Sequence, residues 1–132
     1  MGLDAVTIRL PQKRVFSFPV ENPISGDDIP RLRVPRAFVV EQVIALKIGG
    51  SGTFDFEVRF SPNANDQGAG TLIFGAVGQN NETTGNVFTP PGDFAPVTVP
   101  TGDWIWLEIP STSTGLSRVV MVQVQVVGVE KG

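Results

Sequence analysis

The chain has 132 residues, no cysteine, no histidine and a formal net charge of −3. A single domain of this length encloses a core without needing a metal or a disulfide to hold it. The missing residue types exclude thiol nucleophiles, Cys-ligated zinc and every Ser-His-Asp or Cys-His arrangement, so any catalysis would fall to carboxylates, Lys, Arg and Ser. The first residues, MGLDAVTIRL, carry an acid and no long apolar run, so a secretory signal is not expected. No run reaches the roughly 18–20 apolar residues of a membrane span, and no membrane is expected as a partner. Charge is unevenly placed. Residues 1–36 hold six basic groups against four acids, while residues 37–132 hold four against nine. Ordinary surface variation accounts for so small and well-screened a contrast, and the sharper alternative is that the N-terminal third meets a partner of acidic character. Nucleic acid does not fit, because there is no dense Lys/Arg stripe and no aromatic platform interleaved with basic residues.

In chain order, Ala5 to Leu10 is the first strand candidate and Arg14 to Val20 the second. Pro19 argues for an edge position there, since proline has no N–H to give a ladder. Glu21 to Pro35 reads as a crossing. Five of the eleven prolines (Pro11, Pro19, Pro23, Pro30, Pro35) lie in the first 36 residues, which suggests an extended, stiff N-terminal arm with its lead strands over 1–36 and a sandwich body over 37–132. Ala37 to Ile48 is a long strand with Phe38, Val40, Ile44, Leu46 and Ile48 on one parity. It closes at Gly49-Gly50-Ser51-Gly52, a hairpin-like turn into the next strand. Thr53 to Phe60 alternates strictly: Phe54, Phe56, Val58 and Phe60 form a dry face, and Thr53, Asp55, Glu57 and Arg59 a wet one. Thr71 to Val77 follows a polar loop, and a weaker extended stretch, Asn86 to Val99, is broken by Pro90-Pro91 and Pro96. Asp103 to Ile109 and Leu116 to Val129 are the last two strands; the final one sets Val120, Val122, Val124 and Val126 against Met121, Gln123 and Gln125. No span shows a comparable helical period. The expected fold is all-β: a two-sheet antiparallel sandwich of jelly-roll type with about eight strands.

The chemistry-bearing candidates have plain alternatives. Asp55 and Glu57 share the wet side of one strand, as a glycosidase carboxylate pair would, but Arg59 continues the row and a solvated charged face accounts for all three. Asn63-Ala64-Asn65-Asp66-Gln67-Gly68 resembles the start of a calcium loop, yet its twelfth position is Phe74, so a hairpin loop is the better account and no metal or cofactor is expected. Asn81-Glu82-Thr83 fits a glycosylation sequon and is read as incidental. Trp104 and Trp106 share a parity and Ile105, Leu107 and Ile109 the other, so that strand needs cover on both faces, from a second sheet or a second subunit.

Three segments, IPRLRVPRAFVVEQVIALKIGG, FDFEVRFSPNANDQGAGTLIF and VTVPTGDWIWLEI, resemble a class of small virion proteins of tailed bacteriophages across roughly residues 28–110. The most specific elements are Pro30-Arg31-Leu32-Arg33-Val34-Pro35, Ala69-Gly70-Thr71-Leu72 and Pro100-Thr101-Gly102-Asp103-Trp104-Ile105-Trp106-Leu107-Glu108. The chain departs from the pattern at Thr101 and in its longer N-terminal lead. The resemblance implies a non-enzymatic β-sandwich component of a virion, made in the host cytoplasm: a head decoration (cement) protein on the outer capsid, with the major capsid protein as partner, or alternatively a tail-associated or receptor- or carbohydrate-binding module. A homotrimer is the expected assembly. The residues expected to meet a partner or subunit are Arg9, Arg14, Phe16, Phe18, Arg31, Arg33, Arg36, Trp104 and Trp106.

Overall fold

A computed structural model describes residues 12–24, 26, 29, 31–65, 70–110, 116 and 119–131. Among them there is no α-helix, and nine strands are formed: β1 (Lys13–Glu21), β2 (Leu32–Arg33), β3 (Phe38–Gly50), β4 (Phe54–Ser61), β5 (Thr71–Gln79), β6 (Asn86–Phe88), β7 (Thr98–Val99), β8 (Trp104–Glu108) and β9 (Val119–Glu130). One sheet runs β1-β9-β3-β6, with β7 also on β3; the other runs β2-β8-β4-β5. Every pairing is antiparallel. The pairs are nested: first strand with last, second with second-last, third with sixth and seventh, and fourth with fifth. They alternate between the sheets, which is a long hairpin rolled up on itself. That is a jelly roll.

β1 places residues 13–21 inside this body. It pairs with β9 over nine residues and sends Phe16, Phe18 and Val20 into the core, so the stiff-arm reading of 1–36 does not hold for this stretch. Among the described residues β9 is its only ladder partner, as Pro19 required. The candidate strand Ala5 to Leu10 lies outside the described residues.

The expected parity of β3 is corrected by one backbone event. The register to β9 shifts between Val40 and Gln42, so Glu41 is an extra residue and every side chain after it changes face. Phe38, Val40, Val43, Ala45 and Lys47 point inward, while Ile44 and Leu46 are half-buried and Ile48 is exposed. The bulge is why a lysine sits on the dry face. Lys47 answers with its Nζ donating to the Gly52 carbonyl at 2.8 Å and lying 3.7 Å from Glu82 Oε1. The glycine turn is corrected too: Gly49 and Gly50 take φ of +82° and +86°, but they carry the chain from one sheet to the other, so β3 and β4 do not form a hairpin. β4 follows its alternation, with Phe54, Phe56, Val58 and Phe60 all buried. On β9, Val122, Val124 and Val126 are buried as expected, while Val120, beside the glycine turn, is 57% exposed.

The two inner faces meet in one core. Phe16 stacks on Phe38 with ring centroids 5.1 Å apart, and Phe56, Phe74, Phe88 and Phe94 form a chain of ring contacts toward the β5–β6 end. The contacts of Phe88 on β6 with Phe74 and Phe56, at 4.6 and 6.4 Å between centroids, cross from one sheet to the other.

Candidate partner-binding surfaces

Three of the expected interface arginines and both tryptophans converge at one place. β2 is a two-residue edge strand, and it sets Arg33 directly opposite Trp104 on β8. The Arg31 guanidinium lies 4.3 Å from the centroid of the Trp106 ring, a cation–π contact on the outer face of the four-stranded sheet. Arg36 is exposed just beyond β2. Arg33 and Arg36 have no ion-pair partner among the described residues.

Trp106 is fully buried although it points away from the core. Its cover comes from this same chain, not from a second subunit as the two-sided strand suggested. Arg31 stacks on it, its indole N–H donates to Glu108 Oε1 at 2.8 Å, and Gly70 passes over the ring. A Cβ at Gly70 would stand 2.7 Å from Trp106 Cη2 and 2.9 Å from the Phe60 carbonyl, and Gly70 takes a φ of +82°, so only glycine fits there. Trp104 is half-buried.

Arg59 continues this outer face. It donates to Glu57 Oε1 at 3.1 Å, to the Gly70 carbonyl at 3.3 Å, and its Nε lies 3.7 Å from Glu108 Oε2. Asp55 accepts from the Gly78 N–H at 2.9 Å. The Asp55–Glu57 pair thus has structural partners. Toward β5 the two acids line a groove of about 260 Å³ with Leu72, Gly75, Ala76, Val77 and Pro110. Leu72 and Val77 are 45% and 75% exposed. Sequence reasoning passed over this groove because its apolar members are scattered along β5 and a bulge in the β4–β5 register breaks their alternation.

The remaining predicted residues serve the fold. Arg14 donates from Nε to Glu130 Oε2 at 2.7 Å and from Nη2 to the same oxygen, so it neutralises a buried carboxylate. Phe16 and Phe18 are core residues and present nothing to a partner. Arg9 lies outside the described residues. Asn81 of the sequon accepts from the N–H groups of Thr83, Thr84 and Gly85, which makes it a loop-forming residue. Asn63 of the calcium-like loop accepts from the Asn65 N–H. Among the described residues no group of three or more His, Asp or Glu is placed to hold a metal.

The outer face of the five-stranded sheet has a different character. In register across four strands lie Ser17, Gln125, Ile44 and Val87, and beside them Pro19, Gln123 and Leu46. None is charged. Ile44, Leu46, Thr84, Gln123 and Gln125 line a shallow hollow of about 210 Å³. The charges of this face, Lys13, Glu21 and Glu41, stand at its margins.

No protein-family model and no curated protein matches the chain. Solved structures similar to it include those of infectious bursal disease virus, the Gt strain at 14% identity and TM-score 0.23 and the Gx strain at 12% and 0.22. Each match covers 98% of this chain but only 42% and 43% of the other, so the chain spans less than half the length of those it matches. TM-scores of this size carry no weight for fold or function, and the jelly-roll assignment rests on strand pairing alone.

Proposed function

We propose that this chain is a non-enzymatic structural component of a virus particle, a head decoration (cement) protein of a tailed phage that lies on the outer capsid and spans contacts between capsomers. The observation that carries the reading is the uncharged outer face of the five-stranded sheet. An antiparallel sheet with one face in water ordinarily places charged side chains there. Here the central rows hold serine, proline, glutamines and aliphatic groups, a surface whose desolvation costs little and whose amides can still find hydrogen-bond partners. Such a face suits a broad, fairly flat protein surface better than it suits a small ligand. The sequence resemblance over residues 28–110 supports a tailed-phage virion as the class of particle, and on the decoration reading the partner is the major capsid protein. Copies of the chain associate with one another on that lattice, as a trimer where the lattice has three-fold positions.

Stoichiometry tests the reading. Quantitative gel or mass-spectrometric counting of this chain in purified particles should return hundreds of copies per particle. A handful would make it a tail component instead, and none at all would remove it from the virion.

A further inference from the structure

The four-stranded sheet is basic at its β2 edge and carries two acids on β4, beside the edge strand β5. At the β2 edge stand Arg31, Arg33 and Arg36 around the exposed Leu32. At the far side, beyond β8, lies the groove of β4 and β5, where Asp55 and Glu57 flank the exposed Leu72 and Val77. The β2 edge therefore sets positive charge beside an apolar residue, and the groove sets two carboxylates beside its apolar residues, with Arg59, among the described residues, the one cation bound to them, through Glu57. Because β2 and β5 end the same sheet, one copy can offer its arginine edge while receiving another's on its opposite side.

We propose that the occupant of the Asp55–Glu57 groove is a second copy of this chain, docked head-to-tail through its Arg33–Arg36 edge. The contact is heterologous: one surface meets a different surface, and the assembly closes as a ring where the rotation per step divides a full turn. The arginine stems cover Leu72 and Val77 while their guanidinium groups reach the two carboxylates, a use of the long apolar stem that a point charge on a short side chain does not allow. The groove has a volume of about 260 Å³ and is lined by Gly75, where a Cβ would stand 2.9 Å from the Phe56 carbonyl. Charge at both edges also sets direction, since β2 against β2 or groove against groove brings like charges together. This inference rests on the self-association in the proposed function and assigns the surfaces that carry it. It leaves the uncharged face of the other sheet free for the particle.

Sedimentation velocity of the full chain at micromolar concentration tests it, together with two charge reversals, Arg33→Glu/Arg36→Glu and Asp55→Lys/Glu57→Lys. Circular dichroism and thermal melting check that each variant is folded. The wild-type chain should associate, and association should weaken as sodium chloride rises from ~0.05 M to ~0.5 M and screening tightens. Each reversal alone should weaken association by about a hundredfold or more, because every contact then sets like charges together. An equimolar mixture of the two should recover association between unlike variants, altered edge against altered groove, in alternating assemblies of even number; a closed three-membered ring should not return, because it forces one like-charged contact. A wild-type monomer would overturn the self-association itself. Association untouched by salt and by both reversals would overturn the edge assignment while leaving self-association standing. If either reversal fails to fold, the neutral pair Arg33→Gln/Arg36→Gln together with the wild-type salt titration decides. Particle binding, measured separately, distinguishes failure of this contact from failure of the virion reading.

Discussion

Gly70 shows how much one position can decide on this molecule. Gly70, just before β5, lies against Trp106 on the outer face of the four-stranded sheet, and its left-handed backbone and missing Cβ both permit that approach. Gly70→Ala should lower stability by about 1–3 kcal/mol in urea denaturation, from backbone strain and a displaced indole. A loss under ~0.5 kcal/mol, with unchanged tryptophan emission, would contradict the contact. Asp103 offers a pH-dependent counterpart. It is buried at the turn before β8, and desolvation holds its carboxyl above the ordinary aspartate value of 3.8. The unfolded chain gives up this proton at lower pH than the folded one. Stability from this group is therefore undiminished below the ordinary value and falls as pH rises through the raised one. Asp103→Asn removes that dependence, so its urea midpoint relative to wild type should climb as pH is raised from ~3 to ~7. A difference that stays constant across that range would assign the effect to hydrogen bonding instead of ionisation. Neither position announces itself fully in the sequence. The Ala69-Gly70-Thr71-Leu72 motif was visible as a pattern, but the partner of its glycine lies 36 positions away on another strand.

The elements were legible where the backbone is regular. β4 could be read residue by residue because its own alternation runs unbroken from Phe54 to Phe60, and all four inward positions are buried. β3 could not, because a bulge is a backbone event with no composition signal in a run of branched residues. Reading through it put Ile44, Leu46 and Ile48 on the core face and left Lys47 on the wet one, the reverse of what the sheet does. The bulge also creates a test. Deleting Glu41 removes the extra residue and leaves a continuous register in which Val43 and Ala45 still point inward and Ile44 and Leu46 outward. The shortened chain should therefore stay soluble and melt cooperatively, as judged by solubility and circular dichroism. A product that aggregates or fails to fold would contradict the assignment of Glu41 as the extra residue. Opposite the bulge, Gly128 on β9 explains why the pair tolerates it: a Cβ there would stand 2.4 Å from the Val39 carbonyl.

At the scale of the whole molecule, the two sheets divide the work. The four-stranded sheet carries the tryptophans and the ion pairs of Arg59 on its outer face, and the five-stranded sheet carries an outer face whose central rows hold no charge. Of the candidate site, the cluster of Arg31, Arg33, Trp104 and Trp106 was legible because its members lie on two short segments with obvious signals. Phe16, Phe18 and Arg14 were misread as surface groups because nothing in a single strand says that its sheet faces inward or that a buried Glu130 waits for an arginine. The uncharged face was not legible at all, since it is assembled from β1, β9, β3 and β6, which are distant in sequence and aligned only by register. The most direct test of the account is co-sedimentation of the purified chain with particles lacking it, comparing wild type with Leu46→Lys/Gln125→Lys. The variant should melt close to wild type and associate with itself as wild type does, yet fail to pellet with the particles. Particle binding at the wild-type level by that folded variant would contradict the claim that the uncharged sheet face is the one turned toward the capsid.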